Sequence, residues 1–165
     1  MALFPPGKGG GQGVERGYKG KGVTIHNLVD AQGMPLHSTQ TAANDDERQQ
    51  VPILLDGVVV KTNKPGRPRK RPKTMVGDKG YDDKKIRAFL RKRGIKPEMV
   101  KRVWKNKKRR GRPTNMTTKR YVVERCFSWF QRKFRRLAIR WERKPLNFTA
   151  FILLGIIHIW MGRLI

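Results

Sequence analysis

The sequence predicts a mixed α/β fold with helices packed on a sheet. One β-branched run, Val23-Thr-Ile-His-Asn-Leu-Val29, is followed by turn residues and a return segment. A short apolar run, Thr74-Met-Val-Gly77, leads into a stretch with Ile86, Phe89 and Leu90 at i, i+3 and i+4. The last third carries a long 3.6-residue period and then an apolar segment.

Taken in order, residues 1–22 hold eight glycines and little hydrophobic patterning, so they read as a flexible Gly-rich lead-in. Residues 23–41 read as a β-hairpin. Asp30-Ala-Gln-Gly33 supplies the turn, with Gly33 free to take positive φ, and Pro35 sits where a strand start tolerates it. Asn44-Asp45-Asp46-Glu47 has the composition of a helix start, with Ile53, Leu54 and Val58 as core candidates and Pro52 limiting continuity. Thr74–Gly77 is a strand ending at Asp78. Asp82 or Asp83 caps the next helix, and Gly94 stops it. Ile95 to Val103 is a strand that Pro97 marks as edge-like. Met116 to about Arg140 is one long helix whose stripe is Val122, Cys126, Trp129, Lys133 and Leu137, widened by Phe130 and Phe134. Pro145 separates it from a last helix, about 146–163.

Charge narrows the function. The 165 residues carry a net charge of +27, and the isoelectric point is about 11.4. Of 39 Lys and Arg, 33 fall in residues 61–144. Such an excess opposes compaction unless a polyanion neutralises it, and nucleic acid is the polyanion this pattern fits. Cys126 is the only cysteine, which excludes an internal disulfide and suits a reducing compartment. The segment Met1-Ala-Leu-Phe-Pro-Pro has no charged n-region or apolar h-region, so no secretory signal is expected. The apolar run Phe148–Gly162 has 15 residues, short of the roughly 20 a membrane span needs. A buried core helix and no membrane partner are the expectation.

Two carboxylates stand out. Asp78 closes an apolar strand, a position that faces the ligand crevice in open α/β sheets. Glu124 is the only acid between Glu98 and Glu142, and it is surrounded by arginines. Together they could hold a hard divalent cation, which takes oxygen ligands and serves phosphodiester chemistry. The spacing alone is equally served by a plain turn at Asp78 and by an i, i−4 pair of Glu124 with Arg120. His26, His37 and His158 are too scattered for a metal-ligand pattern.

Four blocks in order change this balance. GVTIHNLVDAQGMPL, VGDKGYDD, RYVVERCFSWFQRKFRRLAIRWER and LNFTAFILLGIIHIW together resemble the DDE transposases of short bacterial insertion sequences. That resemblance implies an RNase H-like catalytic domain over 23–165. In it VGDKGYDD corresponds to the D-x-G-Y motif, with Asp78 as second catalytic carboxylate and Tyr81 as the motif tyrosine. Glu124 corresponds to the catalytic glutamate and Arg120 to the arginine of the C-terminal signature. The resemblance further implies Mg²⁺ (or Mn²⁺) as cofactor, DNA cleavage and strand transfer without a covalent protein intermediate, and a cytoplasmic, nucleoid-associated location.

Departures from the family pattern are equally specific. Gln131 stands where the signature has a lysine, and Thr117 where it has a tyrosine. The first catalytic aspartate lies on a strand upstream of the Gly-rich segment in the family. No residue here corresponds to it, and Asp30 lies in a hairpin turn. The expectation is therefore an RNase H-like fold lacking its first strand. Such a chain would be inactive alone and completed by an upstream transposase segment or by oligomerisation. The alternative is a non-catalytic basic DNA-binding protein, a remnant or regulator of a transposase. The expected DNA contacts are Arg67, Arg69 and Arg71 in one Pro-rich loop and Arg110 and Arg112 in a second. Arg120, Arg125, Gln131, Arg132 and Lys133 extend them along the helix. Both loops contain Gly-Arg-Pro, which has the chemistry of a minor-groove insert or of a loop making only phosphate contacts.

Overall fold

Strand β3 (Gly20–Val29) is the member on which the larger sheet is assembled in the computed structural model, which describes residues 2–61, 65–99 and 120–164. Its β-branched run pairs antiparallel with β4 (Pro35–Ala42) from Val23↔Ala42 to Val29↔Pro35, as the hairpin pattern predicts. The Asp30 carboxylate accepts backbone N–H bonds from Gln32 (2.9 Å) and Met34 (2.8 Å), and Gly33 takes φ 88°.

Two further short strands pair with β3, one on each side of it. One is β1 (Ala2–Leu3), paired Ala2↔His26 and Leu3↔Ile25. The other is β2 (Glu15–Gly17), paired with residues 20–22. The expectation of a flexible lead-in is corrected by these strands and by the docking of the glycines between them. Gly9 N–H and Gln12 N–H donate to the carbonyls of Arg140 and Arg143, and Arg140 N–H donates to Pro6. A Cβ on Gly9 would sit 2.0 Å from the Trp141 carbonyl oxygen. The glycines serve close backbone approach.

A 3₁₀ turn (Glu47–Gln49) capped by Asp46 leads into α1 (Gln50–Asp56). Val51, Leu54 and Leu55 are its buried residues, with Val58 just beyond. Ile53 faces solvent, contrary to expectation, because the core-facing stripe runs through Val51 and Leu55. Strand β5 (Thr74–Gly77), a 3₁₀ turn (Lys79–Tyr81), α2 (Lys84–Lys92) and β6 (Lys96–Met99) form a compact unit in which β5 and β6 are parallel. Asp83 caps α2 through Lys85 N–H (2.6 Å), and Gly94 ends it at φ 69°. The expected single mixed sheet is thus divided among the described residues into a four-stranded antiparallel sheet and a two-stranded parallel one. On the edge of β3 away from β4, the two residues of β1 pair with Ile25 and His26 and leave 27–29 unpaired there among the described residues.

Helix α3 (Arg120–Lys133) ends earlier than the sequence period predicts. Phe134 is extended (φ −125°, ψ 91°), and a short α4 (Arg135–Ala138) follows. The break lets Leu137 enter the core and sets the Phe134 ring edge-on to His158 at 5.4 Å. Packing overrides a continuous helical propensity. Lys133, placed on the apolar stripe by its period, is exposed.

Helix α5 (Pro145–Leu164) runs for 20 residues. Phe148, Ile152, Gly155 and Ile159 are buried, yet its Pro145–Arg163 stretch is long and apolar enough to cross a membrane and only 22% of its most apolar window is buried. The length agrees with the expected 146–163, and the expected burial holds for the inner side of the helix alone. Core packing joins α3 and α5 to β3 through Ile25, Cys126, Phe130, Leu137 and Phe148. A second cluster, including Val51, Leu55, Tyr81, Leu90 and Ile95, joins α1 to the β5–β6 unit.

Candidate active site and nucleic-acid interface

Asp78 directly follows β5 and caps the 3₁₀ turn after it, accepting from Lys79 N–H at 2.7 Å. The turn is fixed from below. Tyr81 is buried, and its hydroxyl lies 3.2 Å from His26 Nδ1 on β3, while His26 Nε2 lies 2.9 Å from the Thr41 hydroxyl on β4. Burial lowers the His26 pKa to about 4, which keeps the imidazole neutral. Burial, with the Glu47 carboxylate beside it, pushes the Tyr81 phenol above its ordinary range. A further clamp joins the turn's flank to α2: Arg87 Nε binds Asp82 at 2.6 Å and its Nη2 donates to the Met99 carbonyl.

Glu124 lies on the exposed side of α3. The opposite side is anchored by Val122, Cys126, Phe127 and Phe130, all buried. Asn27 on β3 donates to Cys126 Sγ at 3.1 Å and accepts from the Ser38 hydroxyl, so one buried amide ties β3, β4 and α3. Burial pushes the Cys126 thiol up to about 12, which makes it a packing residue rather than a nucleophile.

The chain neighbours of the two acids, though not the acids themselves, line one cleft. Gly77, next to Asp78, and Val123, next to Glu124, both line a cavity of about 960 Å³. Residues 27–29 of β3 and 74–77 of β5 both line it. Arg69, Arg71 and Lys73 line it as well. Among the described residues no group of three Asp, Glu, His or Cys is placed to hold a metal ion. Asp78 and Glu124 offer the oxygen chemistry that Mg²⁺ takes, but as a donor set they are incomplete.

The expected DNA contacts separate into classes. Arg67, Arg69, Arg71, Gln131, Arg132 and Lys133 are exposed. Arg69 is fixed by its backbone, which exchanges two 2.9 Å bonds with Val60. Arg125 donates to the Gln32 carbonyl in the hairpin turn and stacks 5.5 Å over the Trp129 ring, so it ties α3 to the hairpin. Arg110 and Arg112 lie outside the described residues, as does the side chain of Arg120.

Three residues of this region escape sequence reasoning. His26 and Glu47 support the Asp78 turn from 52 and 31 positions away in the chain, and no local pattern links them. Arg140 is buried; its guanidinium donates to the carbonyls of Gln12 (2.8 Å) and Glu142 (2.9 Å) and lies 5.6 Å over Phe148. It reads as one more surface cation in a basic run, yet it fixes the Gly-rich segment.

The sequence is similar to known proteins. The family described as transposase DDE domain matches residues 4–160. The putative transposase for insertion sequence element IS402 of Burkholderia cepacia is 37% identical over 134 residues, covering 81% of this chain and 60% of that protein. The transposase for insertion sequence element IS1106 of Neisseria meningitidis serogroup B is 30% identical over 120 residues, 69% of this chain and 37% of that protein. The putative transposase for insertion sequence element IS6501 of Brucella ovis is 27% identical over 140 residues, 83% of this chain and 96% of that protein. The chain thus spans about three fifths of the first relative's length and less than two fifths of the second's. No solved structure matches it. With a family match over nearly all of its length, the chain belongs to the transposase DDE domain family.

Proposed function

We propose that this chain is the catalytic-domain portion of an insertion-sequence transposase, with an RNase H-like fold, that cleaves and rejoins DNA with Mg²⁺. Asp78 and Glu124 are its two metal-binding carboxylates. The observation that carries this reading is the cleft shared by their neighbours Gly77 and Val123 on a chain of net charge +27. Bound there, the metal would supply Lewis-acid charge for phosphodiester exchange. Asp78 would present its carboxylate from a rigid strand end, Glu124 from the solvent side of α3, and the exposed Arg67, Arg132 and Lys133 would hold phosphates.

The cleft also suggests how the donor set is completed. Its walls include the β3 segment 27–29 and β5, neither of which pairs with a further strand on that side among the described residues. β1 is antiparallel to β3 with Ala2 opposite His26. A strand continuing that register upstream would pass Asn27, Leu28 and Val29 and enter the cleft. We take this to be the place for the strand carrying the third carboxylate, from an upstream transposase segment or supplied in trans. A second reading, for the chain on its own, is a basic DNA-binding protein without catalysis, which its net charge of +27 supports.

The test is Mg²⁺-dependent strand transfer by an in-frame fusion to the upstream segment of a full-length relative. Activity that falls at least ~10³-fold with Asp78→Ala and with Glu124→Ala supports the assignment. Full activity in either variant overturns it. A fusion that binds DNA and never cleaves it favours the second reading.

A further inference from the structure

We propose that the outward face of α5 is the interface for a second copy of this chain. This stands apart from the catalytic reading.

The helix has two opposite apolar faces. Phe148, Ile152, Gly155 and Ile159 point into the core. About half a turn away lie Leu146, Leu153, Leu154, Ile157, Trp160 and Met161, between 36% and 77% exposed. An ordinary surface helix would be polar there. Leu146, Ala150, Leu153, Ile157 and Trp160 follow one another at intervals of four, three, four and three, the spacing of a helix–helix seam. A groove between α4 and α5, lined by Phe134, Phe151 and Ile157 among others, deepens one flank of the stripe. Trp160 is held in place by a 2.9 Å bond from its indole N–H to the Pro35 carbonyl, so that end of the seam is preorganised.

Charge selects a second copy as the occupant. Two molecules of net charge +27 repel wherever their basic surfaces meet. Arg163 is the single charged residue of α5, and Arg135 and Arg136 stand at the flanking groove, so the seam itself can meet its own copy with like charges kept to its margin. Area agrees: the six exposed side chains, at roughly 200 Å² each when whole, leave on the order of 650 Å² per copy. That approaches the ~800 Å² per partner of a stable interface. A stripe of one chemistry is self-complementary and suits a two-fold axis. Leu153 is midway between Leu146 and Trp160, so it falls near that axis whether the two helices run parallel or antiparallel.

The experiment uses the full chain, freed of nucleic acid by nuclease and held at 1 M salt, where the Debye length is about 3 Å. Sedimentation equilibrium is expected to give twice the 19.1 kDa chain mass. Leu153→Glu with Ile157→Glu should weaken the dimer at least ~100-fold while circular dichroism stays unchanged. Should that variant misfold, the milder Leu153→Cys is expected to form a disulfide-linked dimer on oxidation, whereas Asn147→Cys, off the seam, does not. A wild-type monomer, or no crosslink through Leu153→Cys, overturns the proposal. So does a monomer that floats with phosphatidylcholine vesicles, which would assign the stripe to a lipid surface.

Discussion

His26 and Tyr81, 55 residues apart, meet through a buried 3.2 Å contact that joins the antiparallel sheet to the turn bearing Asp78. It is a side-chain link between two sheets that no strand pairing connects among the described residues. Removing the Tyr81 hydroxyl would leave His26 with an unmet ring nitrogen at no cost in packing volume. Tyr81→Phe is expected to destabilise the chain by about 1–2 kcal/mol, measured by urea denaturation. An unchanged midpoint would mean the contact is not formed in solution.

The same histidine sets a pH dependence. Its folded pKa, about 4, lies below the ordinary 6.5 because burial opposes the charge. The unfolded chain therefore binds the proton more readily between these values. The stability His26 contributes is present above pH 6.5 and is lost as pH falls from 6.5 toward 4. The loss is at most about 3 kcal/mol, and it levels off below pH 4. His37, also lowered by burial, acts in the same direction. Denaturation midpoints measured from pH 7.5 to 4 should fall in that window. His26→Gln, less stable at neutral pH, should flatten much of the slope; an equal slope would remove His26 as its source.

The glycines of the lead-in and Arg140 form one device. Arg140 donates to carbonyls of residues 12 and 142, and Gly9 and Gly11 leave room for the backbone of 141–143. Arg140→Met would remove the donor from these part-buried carbonyls and is expected to cost about 1.5–3 kcal/mol. Gly11→Ala, at φ 95° and with its Cβ 2.4 Å from the Arg143 oxygen, is expected to cost ~2 kcal/mol or more. Both should raise proteolysis within 4–14 before global unfolding. Protection equal to wild type would show that the segment does not dock.

What was legible in the sequence had a short-range signal. The hairpin followed from its β-branched run and Asp30–Gly33 turn, α2 from its stripe and caps, and the family from four ordered motifs. What was hidden depends on contacts far apart in the chain. The Gly-rich segment looked irregular because its order comes from Arg140 and the backbone of 140–143, more than 125 positions later. Lys133 matched a helical period that Phe134 interrupts, since Leu137 gains more from entering the core than from continuing the helix. Asp78 could be picked out by motif, but its supports His26 and Glu47 could not. The outward face of α5 was equally invisible, because apolar composition does not say which side of a helix the core takes.

The arginines of α3 are expected to divide by role. Arg125 is committed to Gln32 and Trp129, so Arg125→Ala should lower stability by about 1 kcal/mol. Arg132 and Lys133 are exposed beyond it, and alanine at either should weaken binding to all duplex sequences alike. Each is expected to reduce the slope of log affinity against log salt by about 1. Fluorescence anisotropy from 50 to 300 mM salt measures this. A flat salt response in the wild type would contradict the electrostatic reading altogether.

Asp78 has a structural duty and a proposed chemical one, and conservative substitution can part them. Its carboxylate accepts from Lys79 N–H at 2.7 Å, a bond that an asparagine oxygen can also accept. Asp78→Asn should therefore leave stability within about 0.5 kcal/mol of wild type, whereas Asp78→Ala loses the cap and about 1 kcal/mol. An amide is a poor ligand for a hard cation, so in the completed fusion both variants should lose metal-dependent strand transfer to the same floor. Glu124→Gln, exposed on α3, should join them in losing activity with little change in stability. Denaturation and strand-transfer assays on the three variants decide the matter. If Asp78→Asn retains activity while Asp78→Ala does not, the aspartate is a cap and not a metal ligand.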